Sequence, residues 1–391
     1  MKNNSLLIVP SIMLWLDGEN IIFDRKFYDG MLMYRDLWPG PVHCIMRLSH
    51  DSLPVFGVVR KKQEEIPFQV TLLSAKEKIN AGHLKAAALL LASGDSHDQF
   101  HLSRLCKANN IKCVYSIEYI PETRYQIVNL ETSNIFVRLR RRLYVWQGER
   151  KRRAAFLLAN GLQANGSAAY HYYNTCSKRM LYFDTRIRRG DVIPEQHLHE
   201  RLITLSEDRP LHLAFSGRLV RMKGADLLVP LAVLLREDQV HFRMSIYGAG
   251  DLESAMKKQI QEHQLSSQVK MMGSVNFYDQ LLPELQEGVD LFVVLHQQSD
   301  PSCTYLETFS CGIPIVGFNN KAFLGFCQEA AVGWGREMDD LQGIADIING
   351  LDRDRRAIQE MSMHCVVFSR QHDFEQTYQK RVDHLRSFLD A

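Results

Sequence analysis

Residues 211–248 read LHLAFSGRLVRMKGADLLVPLAVLLREDQVHFRMSIYG and contain two short apolar runs on either side of a longer one. Apolar residues occupy alternate positions in LHLAFSG (211–217), which predicts a strand, and HFRMSIYG (241–248) predicts a second strand. The apolar segment between them, 225–235, is long enough to form a helix. A strand, a helix and a strand joined by short connections predict a parallel βαβ unit.

The same alternation extends in both directions from this unit. Downstream, the sequence predicts a helix at 252–263, a strand at 269–273, a helix at 278–287, a strand at 289–295, and a short helix and a strand within 300–316. Upstream, it predicts strands at 6–9, 42–47, 69–73, 87–92, 113–116 and 155–159, and helices at 27–37 and 99–109. A polar segment with two prolines, 188–210, separates the two series. We therefore expect an α/β protein with two doubly wound, Rossmann-like domains facing each other across a cleft.

Composition places few limits on the partners, because 47 basic and 45 acidic residues leave a formal net charge of +2. The eight cysteines form no C-x-x-C pair, which favours reduced thiols over disulfides or a structural metal site. No apolar run is long enough to span a bilayer, and the run at 5–16 lacks the basic start and cleavage site of a signal peptide. These features predict a cytoplasmic protein.

The segment DPSCTYLETFSCGIPIV (300–316) combines a turn, a short helix and a buried strand. Asp300 and Pro301 form a turn dipeptide, because the proline ring disfavours helical geometry at the residue before it. Thr304 and Glu307 have the spacing of a capping box, in which each side chain accepts a hydrogen bond from the other residue's backbone. Glu307 could therefore cap its own helix or hold a ligand.

Two turns that follow predicted strands have residues suited to a phosphate. The turn SGRLVRMKG (216–224) places Arg218 and Lys223 beside a helix start, where two cations suit a diphosphate, although a solvated loop explains them equally well. The turn YGAGDLE (247–253) contains Gly248 and Gly250, but Glu253 stands where a dinucleotide fingerprint requires its third glycine. We interpret these glycines as a tight turn, either beside a nucleotide or without one.

Four blocks in the second half carry a resemblance to a known family: GRLVRMKGADLL (217–228), IYGAGDLE (246–253), VKMMGSV (269–275) and LETFSCGIPIV (306–316). Together they resemble the donor half of the retaining, nucleotide-sugar-dependent glycosyltransferases of family 4, which have the two-domain GT-B fold. The tail, 368–385, is similar to the closing helices of that family. The resemblance implies an acceptor-binding domain at 1–195, a donor-binding domain at 196–370, and a helix at 371–391 that returns to the first domain.

The resemblance also implies roles for particular residues. Arg218 and Lys223 would hold the donor diphosphate and neutralise the departing nucleotide. Glu307 matches the second glutamate of the family's E-x7-E motif, which accepts hydrogen bonds from the ribose hydroxyls. Further donor contacts are implied for Gly248 and for the backbone N–H groups of Ser302, Cys303 and Thr304 at a helix start.

The sequence departs from the family pattern at two places. Ser299 stands where the motif has its first glutamate, which contacts the transferred sugar, so Asp300 is the candidate replacement; alternatively, Asp300 only starts its turn. A histidine common in the first domain of the family is absent, because Glu118 and Tyr119 occupy the corresponding strand end. His97 is the substitute candidate for a catalytic histidine, although a lone loop histidine is more often structural.

Two further features concern metals and membranes. The D-x-D sequence at 352–354 lies in a charged stretch between predicted C-terminal helices, so we expect no metal ion and no cofactor. The segment RLRRRLYVWQGERKRR (138–153) interleaves eight basic residues with aromatic and aliphatic ones. It fits an anionic membrane surface or an ordinary solvated helix face, whereas a nucleic-acid patch is less favoured because the chain lacks overall basic charge.

The resulting expectation is a retaining, metal-independent glycosyltransferase, peripheral on the cytoplasmic face of a membrane or free in the cytoplasm. It would transfer a sugar from a nucleotide-diphosphate sugar to a lipid-linked or cell-surface glycan precursor. The altered first glutamate motivates an alternative, a non-catalytic nucleotide- or membrane-binding protein with the same fold. A further alternative, an NAD-dependent oxidoreductase, is supported only by the glycine turn at 248–250.

Overall fold

The computed structural model describes residues 4–54, 57–74, 77–205 and 208–389. Its strands are β1 Leu6–Val9, β2 Trp15–Asp17, β3 Asn20–Asp24, β4 Val42–Arg47, β5 Val58–Lys62, β6 Gln69–Leu73, β7 Leu89–Ser93, β8 Lys112–Ile117, β9 Gly161–Asn165, β10 Arg179–Tyr182, β11 Leu211–Ser216, β12 Phe242–Tyr247, β13 Val269–Gly273, β14 Leu291–Val294, β15 Ile315–Phe318 and β16 Gly333–Arg336.

The α-helices alternate with most of these strands. They are α1 Arg25–Leu37, α2 Ala81–Leu84, α3 Leu102–Ala108, α4 Pro121–Glu131, α5 Ile135–Leu158, α6 Ser167–Tyr172, α7 Glu195–Ile203, α8 Leu228–Glu237, α9 Glu253–Glu262, α10 Leu282–Gly288, α11 Thr304–Ser310, α12 Lys321–Glu329, α13 Leu341–Arg353, α14 Arg356–Gln371 and α15 Phe374–Arg386.

Tertiary contacts divide the chain into two compact units. The first unit comprises Met1–Pro121, Arg140–Tyr182 and Glu375–Ala391. Its main sheet has the order β10-β9-β8-β7-β1-β4-β6, and every neighbouring pair in it is parallel. The four residues of β1 are all buried, as expected for a central parallel strand with both faces covered. A small antiparallel sheet, β2-β3-β5, accompanies the main one.

The second unit comprises Glu122–Leu139 and Phe183–Phe374. Its sheet has the order β13-β12-β11-β14-β15-β16, again with parallel pairing throughout. Strand β11 carries alternate apolar residues into a core shared with α8, where Leu213, Phe215 and Leu231 are fully or almost fully buried. The predicted α/β class with two doubly wound sheets is confirmed, whereas the ranges assigned to acceptor and donor domains stay predictions.

Two local predictions from the sequence are wrong, and one small sheet was missed. Residues 155–159 were predicted as a strand, but helix α5 includes them up to Leu158. The strand of this region is β9, which begins at Gly161. The small sheet β2-β3-β5 was not predicted. The capping box of Thr304 and Glu307 does not form, because α11 begins at Thr304 with Cys303 as its N-cap and without a side-chain cap bond. The predicted boundary segment 188–210 contains helix α7, and its residues 206–207 lie outside the described part of the chain.

Candidate functional site

The glycine turn after β12 packs directly on the turn after β11, at the carboxyl edge of the second sheet. Gly248 has φ +127°, and a Cβ on it would lie 1.9 Å from the carbonyl oxygen of Gly217. The Leu219 N–H donates to the carbonyl oxygen of Ala249 at 2.9 Å, which fixes the two turns together. Only glycine allows this approach, so the G-x-G arrangement follows from backbone packing and needs no dinucleotide to explain it.

A second close approach joins the loop before α8 to the loop after β14. Gly224 has φ +67°, and a Cβ there would lie 2.0 Å from the carbonyl oxygen of Leu295. The Gln297 N–H donates to the carbonyl oxygen of Met222 at 3.1 Å. Lys223 lies between Met222 and Gly224, so these contacts hold it against the segment that begins at Leu295.

Lys223 and Asp300 form an ion pair at the join of these loops. The Lys223 Nζ lies 2.9 Å from the Asp300 Oδ2, with the two side chains only 10% and 15% exposed. The structure thus brings together two residues that the sequence analysis selected separately. A largely buried ammonium with one carboxylate partner keeps further donor capacity, which suits a second anionic or polar group.

The segment between β14 and Asp300 contains two buried polar side chains. His296 and Gln298 are each 2% exposed. Burial, and then the positive charge of Lys223, hold the pKa of His296 well below 6.5, so its imidazole is neutral near pH 7. The His296 ring meets the buried Tyr305 ring edge-on, with 6.0 Å between the centroids.

Glu307 forms an ion pair with Arg186, a residue that the sequence analysis did not select. The Arg186 Nε lies 2.8 Å from the Glu307 Oε1, without the alignment of a hydrogen bond. The Arg186 guanidinium lies 5.0 Å from the centre of the Phe277 ring. The backbone carbonyl oxygen of Arg186 accepts a hydrogen bond from the Tyr278 hydroxyl. Glu307 therefore faces a cation held by neighbouring aromatic residues and does not cap its own helix.

The helix start proposed for phosphate binding is already partly hydrogen-bonded. The Ser302 N–H donates to the carbonyl oxygen of Asp300 at 2.8 Å, and the Thr304 N–H lies 3.5 Å from the Ser302 Oγ. Cys303, between them, is partly buried and serves as the N-cap of α11. A phosphate at this position would compete with two local hydrogen bonds.

Ser299, at the position of the motif's first glutamate, has a structural role. Its Oγ accepts a hydrogen bond from the Lys321 N–H at 3.0 Å, and its own N–H donates to the Gln126 Oε1 at 3.2 Å. The residue is buried, so a longer charged side chain would break these bonds. Asp300 carries the next carboxylate along the chain and is the one that reaches Lys223.

Arg218 differs from the other predicted cation of the site. Its side chain is exposed and makes no hydrogen bond or ion pair with the residues that the structure describes. It follows β11 directly, two residues after Ser216, so it lies at the same edge of the sheet as Lys223. An exposed guanidinium at this edge is available to a soluble anion.

His97, the candidate catalytic histidine, belongs to the first unit and packs against α5. Its ring stacks on the Tyr144 ring with 4.4 Å between centroids and an angle of 9°. A Cβ on Gly148 would lie 2.1 Å from the His97 Cε1, so the absence of a side chain there makes room for the ring. These contacts support the structural interpretation of His97; a catalytic role for it stays a prediction.

The basic segment 138–153 is helical, and its two faces differ. On one face, Arg152 is fully buried and donates to the carbonyl oxygen of Gly94 at 2.7 Å, while its other nitrogen pairs with Glu149. On the opposite face, Leu143 and Trp146 are about half exposed, at 54% and 48%. Arg140, Arg141, Arg142, Arg150 and Lys151 are also exposed.

Two properties of the described residues concern metals and membranes. They contain no group of three or more His, Cys, Asp or Glu side chains that could hold a metal ion. In the D-x-D sequence, Asp352 pairs with Arg355 and Asp354 pairs with Arg356. No helix among the described residues combines the length and the apolar character needed to cross a bilayer.

Residues 200–365 match the family model described as glycosyl transferases group 1. Over shorter segments the chain resembles curated relatives, such as a glycogen synthase of Halorhodospira halophila, which is 33% identical over 30% of this chain and 24% of the relative. The matched segments span between 23% and 35% of the length of these relatives. Lys223 and Asp300 both lie within the residues that match this family model.

Solved structures extend the likeness to the whole chain. The Anabaena protein Alr3699/HepE, crystallised with UDP, has a TM-score of 0.65 at 14% identity, covering 98% of this chain and 100% of its own. The pneumococcal O-GlcNAc transferase GtfA, crystallised with UDP and GlcNAc, has a TM-score of 0.61 at 10% identity, with complete coverage of both chains. The fold is thus the GT-B fold of glycosyltransferases.

Proposed function

We propose that this chain is a retaining glycosyltransferase of family 4 that transfers a sugar from a nucleotide-diphosphate sugar to an acceptor. The observation that carries the proposal is the ion pair of Lys223 and Asp300 at the carboxyl edge of the second sheet, within the group 1 domain. Ligands of open parallel sheets bind at that edge. Solved relatives with this fold bind UDP or UDP-glucose, which supports the assignment of a nucleotide-sugar donor.

In this proposal the second unit binds the donor through three charged residues. Lys223 and the exposed Arg218 hold the diphosphate, and Glu307 accepts hydrogen bonds from the ribose hydroxyls. Because Glu307 pairs with Arg186 across 2.8 Å, the ribose shares the carboxylate with that guanidinium or displaces it. Gly248, Ser302, Cys303 and Thr304 contribute backbone contacts around the phosphates.

Asp300 has two roles in the proposed site. Its carboxylate orients the Lys223 ammonium in the free protein, at 2.9 Å. When the diphosphate takes over part of the ammonium's hydrogen bonding, the Asp300 oxygens become available to a hydroxyl of the transferred sugar. This role replaces that of the first glutamate in the family motif, whose position holds the buried Ser299.

The proposed reaction proceeds at the front face of the sugar. The bond between the anomeric carbon and the leaving phosphate oxygen breaks as the acceptor oxygen approaches from the same face, and the leaving phosphate accepts the acceptor's proton. Lys223 and Arg218 stabilise the negative charge that develops on the nucleotide diphosphate. The chain supplies orientation and positive charge, so the proposal assigns no step to a metal ion or to a dedicated base.

The proposed acceptor is a glycan precursor, with a lipid-linked one favoured by helix α5. Exposed Leu143 and Trp146 alternate with exposed arginines on this helix, which suits insertion among anionic headgroups on the cytoplasmic face of a membrane. Cosedimentation with vesicles of neutral lipid and with vesicles containing anionic lipid tests this point. Binding only to the anionic vesicles, lost in a Leu143→Glu/Trp146→Glu double variant but not in Met363→Glu, is expected.

A non-catalytic nucleotide- or membrane-binding protein is the alternative, because Ser299 replaces the first glutamate. A thermal-shift screen of nucleoside diphosphates and their sugars identifies the donor, since a ligand that binds the native state raises Tm by mass action. NMR of the wild-type protein with that nucleotide sugar then follows release of the nucleotide, with water or an added glycan as acceptor. Release of the nucleotide by the wild type but not by Asp300→Ala supports an enzyme. If the donor is α-linked, a transferred sugar that first appears in the α configuration supports retention.

The proposal fails if the wild type neither binds a nucleoside diphosphate nor consumes any nucleotide sugar. Binding without any consumption favours the non-catalytic alternative instead. Tight binding of NADH in the same screen would favour the oxidoreductase.

A further inference from the structure

Two buried polar atoms in the segment after β14 have no hydrogen-bond partner among the described residues. They are the Nδ1 of His296 and the Oε1 of Gln298, on side chains that are each 2% exposed. Leaving a buried polar atom without a partner costs about 1–3 kcal/mol, and nearly all buried polar atoms in proteins have one. Two such atoms within three residues therefore need an explanation.

The two side chains lie in the wall of the proposed donor site. They precede Asp300, and the residue between them, Gln297, donates its N–H to the carbonyl oxygen of Met222 at 3.1 Å, next to Lys223. Burial, and then the positive charge of Lys223, lower the pKa of the His296 imidazole. If Lys223 binds the diphosphate, the side chains of His296 and Gln298 border the sugar attached to it.

We infer that His296 and Gln298 determine which sugar the donor site accepts, by hydrogen bonding to hydroxyl groups of the transferred sugar. This inference rests on the proposed function. A Gln298 carbonyl accepts a hydrogen bond from a hydroxyl, whereas a neutral imidazole nitrogen donates or accepts according to its tautomer. A hydroxyl can satisfy both atoms whichever tautomer His296 adopts, because it is a donor and an acceptor at once.

The chemistry also favours a neutral, hydroxyl-bearing partner over a charged one. Because burial and Lys223 keep His296 neutral near pH 7, it offers no positive charge to a phosphate. The Gln298 amide carries no charge either. A site with buried hydrogen-bonding atoms rejects a substrate that lacks the matching hydroxyl much more strongly than an apolar pocket rejects an added one.

The test compares Gln298→Leu and His296→Leu with Gln297→Leu as the matched control. Gln297 is half-buried between them, and its amide donates to the carbonyl oxygen of Leu295 at 3.4 Å. Calorimetric titrations measure the affinity for the nucleoside diphosphate and for its sugars, using the best stabiliser from the thermal-shift screen, its epimers and its deoxy analogues.

We expect both variants to bind the nucleoside diphosphate within about twofold of the wild type, while affinity for the preferred nucleotide sugar falls about tenfold to a hundredfold. The ratio of the affinity for the preferred nucleotide sugar to the affinity for its epimers and deoxy analogues should fall by the same factor. Gln297→Leu should change neither this ratio nor the affinity for the preferred nucleotide sugar. Unchanged sugar preference in both variants, with intact diphosphate binding, would overturn this inference alone. Equal losses for diphosphate and sugar, together with a lower Tm, would assign the two residues to structure and overturn it as well. A wild type that binds no nucleotide would overturn the proposed function.

Discussion

The two edges of the second sheet contain similar charged residues but use them differently. At the amino edge, Asp290 accepts hydrogen bonds from both terminal nitrogens of Arg209 at 2.8 and 2.6 Å and from the His212 N–H at 2.8 Å. Buried Arg201 donates to four backbone carbonyl oxygens, those of Leu285, Gln286, Cys311 and Gly312. At the carboxyl edge, Lys223 has one carboxylate partner, and the His296 and Gln298 atoms described above have none among the described residues.

This difference separates charges that hold the fold together from charges that remain available to a ligand. A cation whose donors are all used by the protein rigidifies the structure and has little capacity for another partner. A cation with one partner, beside buried polar atoms that lack one, leaves hydrogen-bonding capacity that a ligand can use. We therefore expect substitutions at the amino edge to lower stability and substitutions at the carboxyl edge to lower ligand affinity.

The largest expected effect on stability is that of Arg201→Met. The substitution removes a buried donor from four carbonyl oxygens, so the free energy of unfolding should fall by about 3–5 kcal/mol. Urea denaturation measures this change, and calorimetry on the folded fraction should show unchanged affinity for the nucleoside diphosphate. Arg221→Met is the matched control, because Arg221 is 75% exposed and its loss should change stability by less than about 0.5 kcal/mol. Equal destabilisation by both substitutions would contradict the comparison.

Lys223→Met should affect both quantities. Affinity for the nucleoside diphosphate should fall at least about tenfold, because a charge-assisted contact with phosphate is lost. The free energy of unfolding should also fall, by about 1–3 kcal/mol, because Asp300 is left with no cation beside it. The double variant Lys223→Met/Asp300→Asn should recover stability without recovering affinity. Recovery of affinity in the double variant would show that the cation is not a ligand of the diphosphate.

Glu307→Ala should lower affinity while stability changes by less than about 1 kcal/mol. The remaining partner, Arg186, is 41% exposed and can be hydrated by water, so little stability depends on the pair. Affinity for the nucleoside diphosphate should fall about tenfold, since ribose loses its hydrogen-bond acceptor. Comparison of the nucleotide with inorganic diphosphate checks this assignment, because affinity for inorganic diphosphate should stay constant. A parallel loss for both ligands would place Glu307 near the phosphates instead.

The smallest expected effect is a pH dependence at the amino edge. Burial, and then the charge of Arg243, lower the pKa of His212 below 6.5, while its ring bonds to the Gly288 carbonyl and the Ser245 hydroxyl. Below pH 6.5 the His212 imidazole therefore binds a proton more readily in the unfolded chain than in the folded chain. The free energy of unfolding falls as the pH falls. This residue contributes at most about 1.4 kcal/mol per pH unit. Urea denaturation between pH 7 and 5 should show a shallower loss of stability for His212→Gln than for the wild type, and equal slopes in both would contradict this assignment.

The regular elements of the second unit were predictable because their apolar periodicity is local. The runs at 211–217 and 241–248 became β11 and β12 with shifts of one residue at the ends. Local patterns misled where an apolar run was ambiguous: residues 155–159 read as a strand because this short apolar run follows a basic stretch, 150–153, although the 24-residue helix α5 contains that stretch and most of the run. The β2–β3 hairpin had a usable signal, since Gly18 and Glu19 form a two-residue turn between the paired residues Asp17 and Asn20, and Gly18 has φ +58°.

The candidate site could be predicted only residue by residue. Lys223 and Asp300 were both selected, but 77 positions separate them and nothing in their spacing indicates that they pair. Arg186 was missed because it stands close to Arg188 and Arg189, at the start of a charged segment that resembles a linker. The partner of a charged side chain is determined by how loops pack at a sheet edge, and glycines such as Gly224 control that packing through contacts that sequence patterns do not contain.

One titration tests the central claim most directly: the best-stabilising nucleoside diphosphate is titrated by calorimetry into the wild type, Lys223→Met and Arg209→Met. Arg209 is the amino-edge counterpart of Lys223, since it pairs with Asp290 just before β14, whereas Lys223 pairs with Asp300 after the same strand. The account predicts that the wild type and the folded fraction of Arg209→Met bind with the same affinity, whereas Lys223→Met binds at least about tenfold more weakly. Equal affinity in Lys223→Met and the wild type would contradict it.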